Sequence, residues 1–175
     1  MSRFSKSSIV NGHRGKTMSD RSKKLADRLN HFNEEVIAFV ESCADSDWRK
    51  IGVEEWPIGV TVRHIAANHY AAVAGAKRIL RGEKLPVMTV EQVTENANRH
   101  AREHSECTKS EVLDLLRENG RKVIELAAGL EDSELDKTGL FPAFGIEMTV
   151  EQLIEFAVLR SANEHFQNVK AVTGK

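Results

Sequence analysis

Histidine is the residue type in this sequence best suited to chemistry. Seven histidines occur among 175 residues, and imidazole can ligate a metal, transfer a proton or bind an anion near neutral pH. In the last predicted helix, His165 lies at the middle of the apolar face, and Ser161 lies four residues earlier on the same face. A histidine placed there is either a hydrogen-bonded core residue, which is the commoner case, or a ligand.

A second pair of histidines lies on a shorter predicted helix. His100 and His104 run along the centre of a thin apolar face and are four residues apart, so their rings could converge on one metal ion. Such a pair also occurs on solvated faces, where the two rings would line the rim of a pocket and meet an anionic substrate. The sequence leaves both alternatives open.

Two further histidines share one long predicted helix but point in different directions. His69 lies on the apolar stripe, so periodicity favours it as the inward residue. His64 lies roughly 130° from that stripe, beside the small residues Ala71 and Gly75. Because its neighbours are small, His64 could face another helix in close approach.

The elements that must position these histidines are predicted to be helices. Apolar residues recur at helical spacing, and three of the segments begin with a threonine-led capping box. The segment 140–148 contains Pro142 and Gly145 and is interpreted as a long connection, not as a strand. The predicted fold is an all-α, four-helix up-down bundle with an accessory helix at 89–106. The principal helices are predicted at 19–44, 59–81, 109–129 and 149–173.

Composition limits the classes of partner and the compartment. The net charge of −1 and the pI near 6.7 give no general attraction to nucleic acid or anionic membranes. Cys43 and Cys107 lack a CxxC spacing and are predicted to be free thiols in a reducing cytoplasm. Residues 1–18 lack the apolar centre of a secretory signal and are predicted to form a disordered tail, with Met18 as an alternative start. The helical domain is then 19–175.

Two segments resemble the DinB-like superfamily of four-helix bundles. Residues 54–65 (EEWPIGVTVRHI) resemble the entry to that family's second helix, and residues 148–153 (MTVEQL) with 164–169 (EHFQNV) resemble its last helix. The resemblance extends over about residues 19–173. It implies the same helical fold for this chain.

The resemblance also implies a metal site. Its members carry a metal-binding histidine eight residues after the tryptophan, which from Trp56 falls on His64, and a His-x3-His pair in the last helix. His165 matches the second member of that pair, whereas Ser161 stands where the first would be. Serine is a poor ligand for zinc or nickel. A third ligand would therefore come from His69, His100 or His104, or else the site is degenerate.

The function that this resemblance implies is that of a metal-dependent enzyme. Members include mycothiol-dependent maleylpyruvate isomerase, bacillithiol transferases and metal-dependent hydrolases. We therefore expect a cytoplasmic thiol-dependent transferase or isomerase that uses a divalent metal and a low-molecular-weight thiol on a small electrophilic substrate. Arg63, Arg99 and Arg160 are candidates to hold a carboxylate-bearing cofactor. The alternatives are a non-catalytic protein that binds a small ligand and a homodimeric stress or interaction protein with a degenerate metal site.

Overall fold

The structure is a computed structural model that describes residues 19–175, so the predicted tail at 1–18 lies outside the described residues. The first helices along the chain are α1 Asp20–Ser42, α2 Asp45–Trp48, α3 Ile58–Leu80, α4 Val90–Glu103, α5 Lys109–Gly129 and α6 Asp132–Leu135. Strands β1 Thr138–Phe141 and β2 Ile146–Thr149 follow. The chain closes with α7 Val150–Ile154, a π-helical segment Glu155–Ala162 and α8 Asn163–Thr173. These last three segments are continuous and are called the last helix.

Threonine residues fix where three of the helices begin. Thr89, Thr108 and Thr149 each accept a hydrogen bond from the backbone N–H three residues on, and the Gln or Glu at that position reaches back to the threonine N–H. Each capping box satisfies two backbone donors that a helix start otherwise leaves unpaired. All three predicted capping boxes are confirmed.

Four long helices form the bundle and enclose one apolar core. The α1 helix packs against α5 and the last helix, and α3 also packs against α5 and the last helix. Consecutive long helices α1 and α3 are therefore diagonal to one another, an order around the bundle that periodicity does not reveal. The α4 helix packs against α3 outside this ring. The predicted all-α bundle with an accessory helix is confirmed.

The connection before the last helix differs from its prediction. Strands β1 and β2 pair in antiparallel register, with Thr138 opposite Thr149 and Phe141 opposite Ile146. Pro142 and Gly145 form the tight turn between them, and Gly145 has φ +63°, which glycine adopts without steric cost. The interpretation of 140–148 as a strandless connection is wrong. Strands of four residues are too short to show a clear alternation of apolar and polar residues.

The last helix is helical over the predicted range but is not α-helical throughout. Residues Glu155–Ala162 form π-helical turns between α7 and α8. Eight residues of apolar spacing cannot distinguish a π turn from an α turn, so the π-helical segment could not be predicted from the sequence.

Trp48, the last residue of the short helix α2, packs against the start of α3. Its ring is buried, and its indole Nε1 donates a hydrogen bond to the carbonyl of Cys107, 3.0 Å away. Cys43 and Cys107 are both free thiols, as predicted. None of the helices between residues 19 and 175 combines the length and apolar character that a bilayer span requires.

The contact between Trp48 and Gly59 yields a test of this packing. A Cβ atom at Gly59 would lie 2.4 Å from the Trp48 Cε2 and Nε1 atoms. We expect Gly59→Ala to lower the free energy of unfolding by about 1–3 kcal/mol, because a buried ring must shift. Urea denaturation measures the change. The matched control is Gly129→Ala, where an added Cβ atom would have no described atom within 4 Å outside the adjoining stretch of its own helix. Equal effects of the two substitutions would contradict this packing.

Candidate metal centre

Two histidines from neighbouring helices meet at one end of the bundle. His64 lies in the second turn of α3 and His165 lies in the first turn of α8, and the two helices pack against each other. Their ring centroids are 5.1 Å apart, and the ring planes are perpendicular. The structure thus brings together the two histidines that the sequence predicts as metal ligands.

The carboxylate of Glu54 holds His165. Its Oε1 atom lies 2.8 Å from His165 Nδ1 and accepts a second hydrogen bond from Asn168 Nδ2 at 3.1 Å. An ionised carboxylate can only accept hydrogen bonds, so Nδ1 of His165 carries the proton of this bond. In the neutral ring, Nε2 then keeps a free lone pair, which is the state a metal ligand requires.

A tight loop before α3 places Glu54 at this site. Gly52 N donates to the carbonyl of Trp56 at 2.8 Å, and the loop turns through Glu55, which has φ +60°. The Trp56 ring is half-buried, as predicted, and lies 5.5 Å from the His64 ring between centroids. The loop therefore places the carboxylate of Glu54 beside His165 and the indole of Trp56 beside His64.

Burial sets the charge of the site. Desolvation, with smaller contributions from His165 and His100, lowers the pKa of His64 to about 4, so this imidazole is neutral at pH 7. Burial opposes ionisation of Glu54, but the hydrogen bonds from His165 and Asn168 outweigh it and hold its pKa below the usual value. The site therefore combines a neutral imidazole with a fixed negative charge.

The accessory helix α4 and the residue directly after it contribute two more histidines, His100 and His104, to the cluster formed by His64 and His165. The His100 ring lies 5.7 Å from that of His64, and the His104 ring lies 4.8 Å from that of His100. Arg63 Nη1 is 3.0 Å from His100 Nε2, and because a guanidinium only donates, this nitrogen acts as the acceptor. Burial, followed by Arg63 and His104, lowers the pKa of His100 to about 4. His100 is close enough to join the pair, but its Nε2 lone pair is engaged by Arg63.

The structure places His69 in the core of the bundle. Its side chain is fully buried, its ring packs against Phe32 at 6.1 Å between centroids, and neither ring nitrogen has a hydrogen-bond partner within residues 19–175. His69 lies five positions after His64, which puts the two on different faces of α3. Periodicity thus correctly predicts that His69 faces inward. Its side chain packs in the apolar core, however, and does not join the histidine cluster.

The remaining candidate, Ser161, lies in the π-helical segment and is half-buried. No group of three His, Cys, Asp or Glu side chains within residues 19–175 has its donor atoms arranged to hold a metal ion. The chemistry of the donors nevertheless suits a divalent metal at two positions, His64 and His165. At the third, serine offers a neutral hydroxyl, and the fit is incomplete.

A cleft of about 480 Å³ lies beside the histidine cluster. Gly59 and Val60, one turn before His64, form part of its wall, and Cys107 and Thr108, shortly after His104, form another part. The cluster residues themselves do not line it. The cleft therefore adjoins the candidate site from the side of α2 and the α4–α5 connection.

Comparison with protein families identifies the class of this bundle. The sequence profile of the DinB superfamily matches residues 28–159, more than half of the chain. The chain therefore belongs to the DinB superfamily, and the resemblance seen in its sequence is confirmed.

Among solved structures, YfiT from Bacillus subtilis is similar to this chain. The similarity covers 95% of this chain and 94% of YfiT, with a TM-score of 0.73 and 19% sequence identity. YfiT is described as a probable metal-dependent hydrolase with an unusual four-helix bundle topology. At this level of identity the likeness establishes the fold alone. The comparison with curated proteins finds no match.

Protonation of His69 should weaken the fold in acid. Desolvation lowers its folded-state pKa from 6.5 to about 4, so the unfolded chain takes up the proton first as the pH falls. The stability that depends on neutral His69 is complete above about pH 6.5 and is lost progressively toward pH 4, by about 3 kcal/mol in total. We expect His69→Leu to lose correspondingly less stability over this range in urea denaturation. His31→Leu, at an exposed position, is the control, and an unchanged pH dependence in His69→Leu would refute this account.

The proposed ligand pair can be tested by adding a third histidine at the position of Ser161. If His64 and His165 converge on a metal, Ser161→His should supply a third imidazole and raise the affinity for Ni²⁺ or Zn²⁺ by about tenfold or more. Isothermal titration calorimetry measures the affinity, with Ser161→Ala as the size control. An unaltered affinity in Ser161→His would show that this position does not face the two histidines.

Proposed function

We propose that this protein is a divalent-metal-dependent enzyme that transfers a low-molecular-weight thiol to a small electrophile or uses that thiol to isomerise it. His64 and His165 are the proposed ligands. The observation that carries the proposal is the close pair of rings, in which His64 is held neutral by burial and His165 is held by Glu54 with Nε2 free. Neutral imidazole suits zinc and nickel, so the two histidines would accept either metal once a third donor completes the set.

Two protein ligands hold a metal weakly, so the proposal needs a third donor. His100 is the nearest candidate, because its ring lies 5.7 Å from that of His64. Its Nε2 would have to exchange Arg63 for the metal, or its other nitrogen would have to turn inward. A bound divalent metal would lower the pKa of a coordinated thiol and so supply the thiolate nucleophile at neutral pH.

The other side chains of the cluster suit the binding of an anionic small molecule. Arg63 is half-buried and bonds to the neutral ring of His100. Its positive charge is thus available to a carboxylate on the thiol or on the substrate. A planar guanidinium can bind such a carboxylate through a bidentate pair of hydrogen bonds. The indole of Trp56 would flank the bound molecule beside His64. Reduced Cys43 and Cys107 fit the proposed cytoplasmic location.

Hydrolysis is the other reaction that such a centre supports. A metal that activates a thiol can also activate water, and YfiT, which shares the fold, is described as a probable metal-dependent hydrolase. The thiol reaction is favoured here by Arg63, whose guanidinium bonds to a neutral ring and would give an anionic cofactor a binding partner. Activity that persists without any thiol would instead assign hydrolysis.

A non-catalytic role is the second candidate, and Ser161 favours it. The hydroxyl at a ligand position would leave a degenerate site that keeps its pocket but binds no metal. The two candidates differ in metal content, which can be measured directly.

The proposed function predicts one divalent metal per chain. Elemental analysis of protein purified without a histidine tag should find zinc or nickel near one equivalent. His64→Ala and His165→Ala should each reduce occupancy at least tenfold, because removing one of few ligands opens the site. His31→Ala, at a solvent-exposed position, is the control. A metal-free wild-type protein that also fails to take up Ni²⁺ or Zn²⁺ would favour the non-catalytic role.

A further inference from the structure

We propose that α4 is a gate that covers His64 and that the hydrogen bond between Arg63 and His100 is the latch that holds this gate closed. The proposal goes beyond the proposed function and does not depend on a bound metal. It is carried by the way in which α4 is attached to the bundle, which differs from that of the other long helices.

The α4 helix adds nothing to the apolar core. Ala101 is the only buried residue among the 14 residues of α4. No residue of α4 belongs to the core or to the partly buried apolar side chains that pack against it, whereas each of the other long helices contributes several core residues. Since tertiary packing of an apolar face supplies most of the stability of a helix in a protein, packing holds α4 to α3 only weakly.

Within residues 19–175, one hydrogen bond joins a side chain of α4 to the rest of the bundle. Arg63 Nη1 on α3 donates to His100 Nε2 at 3.0 Å. The other side-chain hydrogen bonds and ion pairs of α4 stay inside the helix or reach the two residues before it, as between Arg102 and Glu95 at 2.6 Å. The Arg63–His100 bond is therefore the polar contact that opening of α4 must break.

The chain is fixed to the core on both sides of α4. Leu85 is buried in the core before the helix begins, and Cys107 packs against the core after the helix ends. The Cys107 carbonyl also accepts the hydrogen bond of the buried Trp48 indole at 3.0 Å. The segments 86–89 and 104–106 lie outside the helix and between these anchors. Rotation about these two segments lets α4 leave α3 while both anchors stay in place.

Opening of α4 would uncover His64. The His100 ring lies 5.7 Å from the His64 ring between centroids, so α4 covers one side of this half-buried imidazole. A small molecule that approaches His64 from this side must first displace α4. Lids over functional sites are drawn from the least stable parts of a fold, and the weak attachment of α4 fits that role.

Hydrogen exchange measured by mass spectrometry on metal-free protein tests the attachment of α4. An isolated helix of 14 residues is marginally stable in water, so the amides of α4 exchange once it leaves α3. We expect them to exchange at least about 100-fold faster than the amides of α3 and α5, because opening of α4 leaves the core intact. Equal protection of α4 and α3 would show that the two open only together and would overturn the proposal.

Two variants test the latch. Arg63→Met removes the donors and keeps an apolar stem, whereas His100→Phe keeps a ring and removes the acceptor. Each should speed exchange in α4 by about tenfold and leave exchange in α5 unchanged. The double variant should exchange no faster than either single variant, since both substitutions break the same bond. Lys77→Met, at an exposed position of α3, controls for the loss of a cation.

The latch is refuted if exchange in α4 is unchanged in both single variants. Fully additive effects in the double variant would also overturn it, because Arg63 and His100 would then act separately. Should one single variant fail to fold, the exchange of the other decides the matter.

Chemical modification of His64 tests whether α4 is a gate. Diethylpyrocarbonate acylates neutral imidazole, and tandem mass spectrometry locates the modified histidine. We expect His64 to react about tenfold faster in Arg63→Met and in His100→Phe than in the wild type, in step with the exchange of α4. A His64 rate that stays unchanged while α4 exchanges faster would mean that the reagent enters by another route, and α4 would not be the gate.

His69 reports on global unfolding in the same experiment. Its side chain is fully buried in the core, so it should stay unmodified while His64 reacts. Modification of His69 at the rate of His64 would mean that unfolding of the whole bundle exposes both rings, and it would overturn the gate. Both measurements are made without metal, so failure of the proposed function would leave their outcome unaffected.

Discussion

Burial of α3 is the constraint on which the structure depends. This helix contacts α5, α4 and the last helix, and more than half of its residues are buried. The same burial that closes the core removes water from His64 and keeps its imidazole neutral. A histidine on a solvated helix would be partly charged near neutral pH and a weaker ligand. The burial of α3 therefore both closes the core and keeps His64 in the neutral form.

Much of the fold could be predicted from the sequence because its signals are local. Helical spacing and the hydrogen bonds of Thr89, Thr108 and Thr149 act within a few residues, and the observed starts of α4, α5 and the last helix agree with them. The order of helices around the core could not be predicted, since apolar stripes do not specify which stripe meets which. The hairpin at 138–149 was missed because its strands have four residues each.

The candidate site, too, could be predicted from the sequence only in part. The spacing from Trp56 selected His64 where periodicity favoured His69, and the structure places His64 beside His165 and His69 in the core. Glu54 was missed, although it lies within the segment that carries the family resemblance. It is 111 residues from His165 along the chain. No local pattern relates a carboxylate in a loop to a ring in a helix at that distance, and only the packing of α3 against the last helix brings the two together.

The π-helical turns before α8 have an evolutionary consequence for this site. Such turns hold one more residue between hydrogen-bonded partners than α-helical turns do. Loss of a single residue from Glu155–Ala162 would convert these turns to α-helical turns and leave the residues that follow on the same faces of the helix. His165 and Asn168 would still face Glu54. The π-helical turns thus absorb one residue locally, and a relative with a one-residue gap in this stretch would keep both the fold and the arrangement.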